Sequence, residues 1–376
     1  MNILIFIIIL LVLVLVHEFG HFFAAKKFGI RVDEFGFGFP PKLFSKKIGE
    51  TEYSFNLLPL GGFVKIFGES FEEADFVEVG FLEDDKKIKP DLSRSFVHKA
   101  KWKQAIVLFA GIFSNFLLAW VLFSFGLMSG LPTSVNSELA NFELKDINLV
   151  VTSVLPLSPA YDAGLKTGDK IVNIEREGIS TSYISPETVK SFVVGSEGKE
   201  INIGYIRGKD QEVKNTVLLP EKNAADELFI GISMDQIGTA KLPLFQAFWQ
   251  GLRLNWFMTK STAVGLYTLI SEAIKGNGSF DSVTGPVGMV GIVGDAYEFG
   301  FVYLMSFAAL ISINLAIINI LPFPALDGGR LFFLLIEKIK GSPIKPKVAN
   351  TANAIGFSIL IFFMLLITYH DVIKLF

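Results

Sequence analysis

Hydrophobic positions run almost unbroken at the start of the chain. From Met1 to Val16 only Asn2 is polar, and the run continues to about Ala25. That is enough for a helix to cross a hydrocarbon core of about 30 Å. Three further stretches, about 104–127, 301–321 and 354–369, read the same way, although the last is short for a span. A signal peptide fits the first stretch poorly, because no basic residue precedes it and no small-x-small cleavage site follows it. The pattern predicts four transmembrane helices.

Between these runs the period changes. Residues 51–58 alternate partly, as a strand does. They are flanked by Phe35-Gly36-Phe37-Gly38-Phe39-Pro40-Pro41 and Pro59-Leu60-Gly61-Gly62-Phe63-Val64-Lys65, apolar pieces too short to span. Such pieces can form a hairpin that dips into the membrane where protein or water satisfies the backbone. A surface hairpin with Gly at its turns fits equally well. Residues 69–91 are acid-rich without a clear period and read as a solvated loop. A compact β-rich domain is expected over about 148–235. It has a strand at Val150 to Val154 and a short helix from Pro159 that stops at Gly164. A turn at Gly168-Asp169 and a strand at Lys170 to Ile174 follow. Phe245, Phe248, Trp249, Leu252 and Trp256 then recur at helical spacing. Polar residues interrupt this stretch, so 242–275 is read as an amphipathic helix on the membrane surface, with a fifth span as the alternative. Gly285-Pro286-Val287-Gly288 is read as a break. The division expected is 1–127, 128–241, 242–300 and 301–376.

Composition sharpens the membrane reading. Of 376 residues, 51% are hydrophobic and 19% charged, and the mean hydropathy is +0.49, too high for an ordinary soluble protein. A net charge of -3 gives no field for nucleic acid, which is not expected as a partner. The absence of cysteine excludes disulfides and thiolate metal sites. Lys26, Lys27 and Arg31 follow the first span, and Lys99, Lys101 and Lys103 precede the second. Arg330, Lys338, Lys340, Lys345 and Lys347 lie between the third and fourth. The positive-inside rule places both loops in the cytoplasm, and the termini and residues 128–300 outside.

Chemistry enters where the first apolar run is broken by His17-Glu18-Phe19-Gly20-His21. Ionisable groups at membrane depth are costly and mark function. In H-E-x-x-H the two imidazoles share one helix face and can hold a Zn²⁺ ion, and the Glu can act as general base. His17 would lie about 24 Å along a helix begun at Met1, close to the cytoplasmic face. A catalytic zinc site of this type needs a third protein ligand and an open position. Asp327 is the candidate, at the end of the third span and at the same expected depth as His21. Pro322 and Pro324 disrupt the helix before it, and Gly328 and Gly329 permit a tight turn.

Residues 158–174 resemble a bacterial PDZ domain, a small β-rich module that binds extended peptides by strand addition. Over nearly its whole length the chain resembles the site-2 proteases, intramembrane zinc metalloproteases, and among them the bacterial regulator-of-sigma-E protease group with one PDZ domain. The likeness rests on His17-Glu18-Phe19-Gly20-His21, Phe35-Gly36-Phe37-Gly38, Pro59-Leu60-Gly61-Gly62, Ala110-Gly111 with Asn115, Asn319-x-x-Pro322, and Leu326-Asp327-Gly328-Gly329. It implies a polytopic α-helical membrane protein with a cytoplasmic, membrane-associated β-hairpin and an inserted extracytoplasmic PDZ domain. It implies proteolysis within the transmembrane segments of single-span proteins, such as anti-sigma factors or remnant signal peptides, in the cytoplasmic membrane. The partners implied are those substrates, the lipid bilayer and peptide termini at the PDZ domain. Asn314, Asn319, Pro322 and Pro324, with Gly61 and Gly62 of the β-loop, match positions of substrate handling. Two departures are Arg330, where His is frequent, and Phe113, which replaces a common Pro. The rival readings are a PDZ scaffold without enzymatic activity, which leaves Glu18 and Asp327 unexplained, and a metal or ion transporter, which four spans without a detectable repeat make weak.

Overall fold

The computed structural model describes residues 2–69, 91–135, 137, 144–181, 183–208, 212–223, 226–276 and 283–373. They form two compact units. The first comprises 1–122, 251–293 and 308–376, and the second 123–250 and 294–307.

In the first unit, α1 (Asn2–Lys27) is a single helix whose C-terminal turn carries Lys26 and Lys27, the charge that a helix C-terminus favours. Helix α2 (Lys101–Ser129) begins in this unit and ends in the second. A 3₁₀ turn at Leu92–Arg94 precedes α2. Strands β1 (Val32–Ile48) and β2 (Thr51–Ile66) form an antiparallel pair. Residues 34–37 of β1 face both 62–65 and 52–55 of β2, while 42–48 face 51–56. The expected strand at 51–58 and its Gly-punctuated flanks thus belong to one folded ribbon, and β2 packs along α1. Ala24, Ala25, Ile30, Val32, Ile66, Phe96, Val107 and Leu108 form the core at this junction.

The second unit contains a seven-stranded sheet. Its strands are β3 (Leu131–Ser134), β4 (Lys145–Val154), β5 (Lys170–Arg176), β6 (Ile179–Thr181), β7 (Ile201–Ile206), β8 (Lys214–Leu218) and β11 (Ile232–Ala240). The order is β3-β11-β4-β5-β7-β8, with β6 beside β5. Two short strands, β9 (Glu221–Lys222) and β10 (Leu228–Phe229), pair separately. Helices α3 (Pro159–Asp162) and α4 (Pro186–Val194) start alike: Ser158 or Ser185 caps the orphan N–H groups, and Pro follows. Val151, Ile171, Ile174, Val189, Ile201 and Ile203 are the centre of the core. Asp169, fully buried at the expected turn, accepts two bonds of 2.7 Å from Arg207.

The remaining helices are α5 (Leu244–Ile274), α6 (Pro286–Glu298), α7 (Phe301–Ile320), α8 (Asp327–Lys340) and α9 (Pro346–Ile373). Among the described residues four helices are long and apolar enough to cross a membrane: α1, α2, α7 and α9. Three expectations are corrected. The fourth span is not short, because α9 has 28 residues and its polar first turns hid its start. Gly285-Pro286 does not simply interrupt the chain. Pro286 opens α6, where its missing N–H costs nothing. Gly328 and Gly329 make no tight turn: they lie in the first turn of α8, an element that hydropathy alone did not reveal. The acid-rich stretch 70–90 lies outside the described residues.

Candidate metal centre

Residues 17 and 21 lie one turn apart on α1, so both imidazoles project from one face, and both are buried. Their Nε2 atoms are 3.2 Å apart. Asp327 Oδ2 completes a triangle, 3.0 Å from His17 Nε2 and 3.3 Å from His21 Nε2. Zn–N and Zn–O distances of about 2.0–2.2 Å give tetrahedral edges of roughly 3.3–3.6 Å. The triangle is therefore near the size of one face of a zinc coordination sphere. Asp327 Oδ2 is buried and has no well-directed hydrogen-bond partner, although two ring nitrogens stand close to it. A cation at the centre would satisfy this oxygen and separate the facing lone pairs. The donor set fits zinc.

Side chains and carbonyls around the triangle orient its members. His21 Nδ1 donates to the Val107 carbonyl at 2.9 Å, which leaves Nε2 to face Asp327. Asn115 on α2 places its side-chain amide 3.3 Å from His17 Nδ1, and its Oδ1 is buried without a partner. Amide orientation is assigned from the hydrogen-bond network. Turned over, Oδ1 accepts the Nδ1–H of His17 and the orphan oxygen disappears. Ser312 of α7 donates to the Asn115 carbonyl at 2.9 Å. Helix α2 can approach because residue 111 is Gly: a Cβ there would run into the His21 ring.

Asp327 reaches the site by a different route. Helix α7 ends at Ile320, and a bent segment with Pro322 and Pro324 leads to α8. Ala325 holds φ at 74°, a region unfavourable to residues with a Cβ, and its N–H is bonded by Asn353 Oδ1 at 3.2 Å. Gly328 then lies against the carbonyls of Ile320 and Leu321, where no Cβ fits. Asp327 is thereby the first residue of α8.

The structure brings together His17, His21 and Asp327, with Glu18 beside Gly62: a Cβ on Gly62 would stand 3.6 Å from Glu18 Cγ. Gly61 packs on the Phe39 ring instead, and Pro324 seats against Gly356 of α9. Asn314 is exposed and Asn319 half-buried on α7. Pro322 is exposed. Arg330 pairs with Glu69. Sequence reasoning missed the positioning contacts of Val107, Ser312 and Asn353, and it gave Asn115 no role. A buried Asn within an apolar span was the available signal for Asn115.

One helix long and apolar enough to cross a membrane carries H-E-x-x-H, and Asp327 closes a triangle that could hold a metal ion, the pattern of a metallopeptidase. The profile of peptidase family M50 matches residues 5–363. A Clostridium perfringens protein named as a candidate zinc metalloprotease is 34% identical, with 96% of this chain and 95% of the relative covered. The zinc metalloproteases RasP of Geobacillus kaustophilus and Shouchella clausii are 31% and 30% identical, with 99% of this chain and 97% and 98% of the relatives covered. The PDZ domain of an SdrC-like protein from Listeria monocytogenes aligns with 25% of this chain and 93% of its own, at 21% identity and a TM-score of 0.20. That score is too low to add to the strand order above. The chain belongs to peptidase family M50, the site-2 protease family of metalloproteases.

Proposed function

We propose that the protein is an intramembrane zinc metalloendopeptidase that hydrolyses peptide bonds within the transmembrane segments of single-span membrane proteins. The observation that carries this reading is the His17–His21–Asp327 triangle with Glu18 at its side. His17, His21 and Asp327 would hold the ion. When bound, zinc supplies a Lewis acid that polarises a carbonyl and acidifies water. Glu18 removes the proton from the attacking water and passes it to the leaving amine. Val107 and Asn115 hold the two imidazoles in the tautomer that presents Nε2.

A helical substrate must be unwound before its carbonyls are accessible. Residues 62–65 of β2 pair with 34–37, and among the described residues no other strand pairs with their opposite edge. An extended substrate can add there by main-chain hydrogen bonds, beside Glu18. The second unit offers another edge. Residues 232–235 of β11 pair with β4, whereas β3 covers only 237–240. A cavity of about 1000 Å³ lies along that edge, lined by Leu228, Ile230, Met234, Val193 and Lys190 among others. This groove suits an extended peptide terminus, the role expected of a PDZ domain. The proposed placement is the bacterial cytoplasmic membrane, with the second unit and both termini outside and the site near the inner face. The lysines and arginines flanking the spans support it.

The test uses purified full-length protein in lipid nanodiscs, with a single-span substrate labelled at both ends. Mass spectrometry of the products should place the cut inside the apolar segment, and zinc removal should stop it. A cut confined to the aqueous flanks would overturn the reading.

A further inference from the structure

Helix α8 has two faces with different fates. Leu331 and Leu334 pack on the core at the junction of α1, β1 and α2, and the buried Glu337 pairs with Lys101 and caps the Ile344 N–H at 2.9 Å. Phe332, Leu335 and Ile339 are exposed at 45%, 52% and 79%. Their spacing puts them in one stripe at about 100° per residue. Lys338 and Lys340 fall on opposite sides of that stripe, and both are exposed, as are Lys345 and Lys347 beyond the helix end. Arg330 points elsewhere, to Glu69.

The place of α8 in the chain determines what can cover the stripe. Residues 321–326 tie it to the spanning helix α7, and 341–345 tie it to the spanning helix α9. Links of that length reach at most ~20 Å. Both ends of α8 therefore stay near the same membrane face. Three large apolar side chains flanked by lysines, held at the edge of a bilayer, match the pattern of a helix lying in the interface. Its charge is the opposite of that on acidic phospholipid headgroups.

We propose that α8 docks its Phe332–Leu335–Ile339 stripe into the headgroup–acyl boundary and that Lys338, Lys340, Lys345 and Lys347 bind anionic phospholipid headgroups. The lipid surface thereby supports the helix whose first residue is Asp327. The inference requires α7 and α9 to span the membrane. It does not require the chain to cleave peptides.

The chain has no cysteine, so a single introduced thiol takes a label without interference. Full-length Phe332→Cys, Leu335→Cys, Ile339→Cys and Ser342→Cys are each spin-labelled. Each is reconstituted in nanodiscs of phosphatidylcholine alone, or with an equal amount of phosphatidylglycerol. Relaxation by oxygen and by a water-soluble nickel chelate gives the depth. The three stripe labels should sit about 5–10 Å below the headgroups, with nickel accessibility at least about fivefold lower than at Ser342→Cys. Phosphatidylglycerol should draw the Ile339→Cys label deeper, and Lys338→Gln with Lys340→Gln should remove that response. Loss of one labelled variant to misfolding leaves the other two to report the same stripe. Free nickel access at all three positions would overturn the proposal. So would shielding from both reagents, which would mean that a second copy or another protein covers the face. Equal depth in the two lipids would overturn the recognition of anionic headgroups.

Discussion

The two halves of the candidate metal centre are built in contrasting ways. On α1 the proposed ligands come from one uninterrupted helix of 26 residues, and its period alone sets His17 over His21. On the other side a single proposed ligand, Asp327, stands at the first residue of α8. It is aimed by two prolines, a left-handed Ala325 and a glycine wedged against carbonyls. The first half needs neighbours only to fix its imidazoles. The second has no geometry without its neighbours, because each bend that directs Asp327 is held by another element. Removing Glu18, the one group of α1 proposed for proton transfer, should therefore act on one chemical step, whereas disturbing the α8 side should act on metal retention or on the fold.

The largest effect is expected at Asp327. Asp327→Asn keeps the shape of the side chain and removes its charge, so the centre loses its anionic ligand. Zinc affinity should fall by more than the ~100-fold that loss of an outer-shell partner typically costs, and cleavage should cease. Zinc content after dialysis, with cleavage of a labelled single-span substrate, checks both. Full occupancy and normal turnover would mean that another group is the third ligand. Glu18→Gln should separate the two readouts. Turnover should drop about 10²–10⁴-fold, the range for loss of a general base, while zinc stays bound. Turnover close to wild type would remove Glu18 from the chemistry.

A middle-sized effect is expected at Asn115, which acts on α1 from outside. Asn115→Leu leaves the Nδ1–H of His17 without an acceptor, and zinc affinity should fall about 10–100-fold. Asn115→Asp retains an acceptor oxygen and should recover much of the loss. If the Asp variant binds zinc no better than the Leu variant, the hydrogen bond is not what positions His17.

The same contrast explains what could be read from the sequence. Three spans, the helical stretch over 242–275 and the strands at 150–154 and 170–174 follow local periodicity, and each appears near its expected place. Matched depth along the two apolar runs pairs Asp327 with the His pair, and the structure brings them within 3.3 Å. Helix α8 was not seen, because its apolar and basic residues follow two prolines and two glycines that read as loop. Its start depends on Gly328 fitting against backbone from the preceding helix. The double register of β1 was also out of reach, since residues 34–37 meet partners on two separate stretches of β2. The orientation of Asn115 toward His17 requires α1 and α2 to be packed, which neither helix encodes alone.

Two ion-pair clamps carry the comparison to the fold. Glu337, near the end of α8, is buried, pairs with Lys101 and accepts from Ile344 N–H. Glu337→Leu removes the acceptor and leaves the Ile344 N–H unsatisfied, for an expected loss of about 1–3 kcal/mol. Thermal unfolding in detergent micelles should show a lower midpoint, and an unchanged midpoint would count against a structural role.

The smallest effect belongs to the matching clamp at the end of α1. Glu50, in the turn between β1 and β2, bonds Arg94 at 2.7 Å and Lys26 at 2.6 Å. The Arg94 guanidinium, followed by the Lys26 ammonium, holds the Glu50 carboxyl down to about 2 from its usual 4.5. A carboxyl whose folded pKa is depressed stabilises the fold above its unfolded pKa, and the contribution disappears as pH falls through the folded one. The Glu50 contribution is thus full above pH 4.5 and lost between there and about 2. All three side chains are about a third exposed, so solvent screens the pairs and the total is at most about 1 kcal/mol. Glu50→Gln should therefore lower the unfolding midpoint slightly at pH 6, and by less at pH values near 3. A gap between wild type and variant that stays constant across this range would show that the Glu50 side chain supports the turn through shape, not charge.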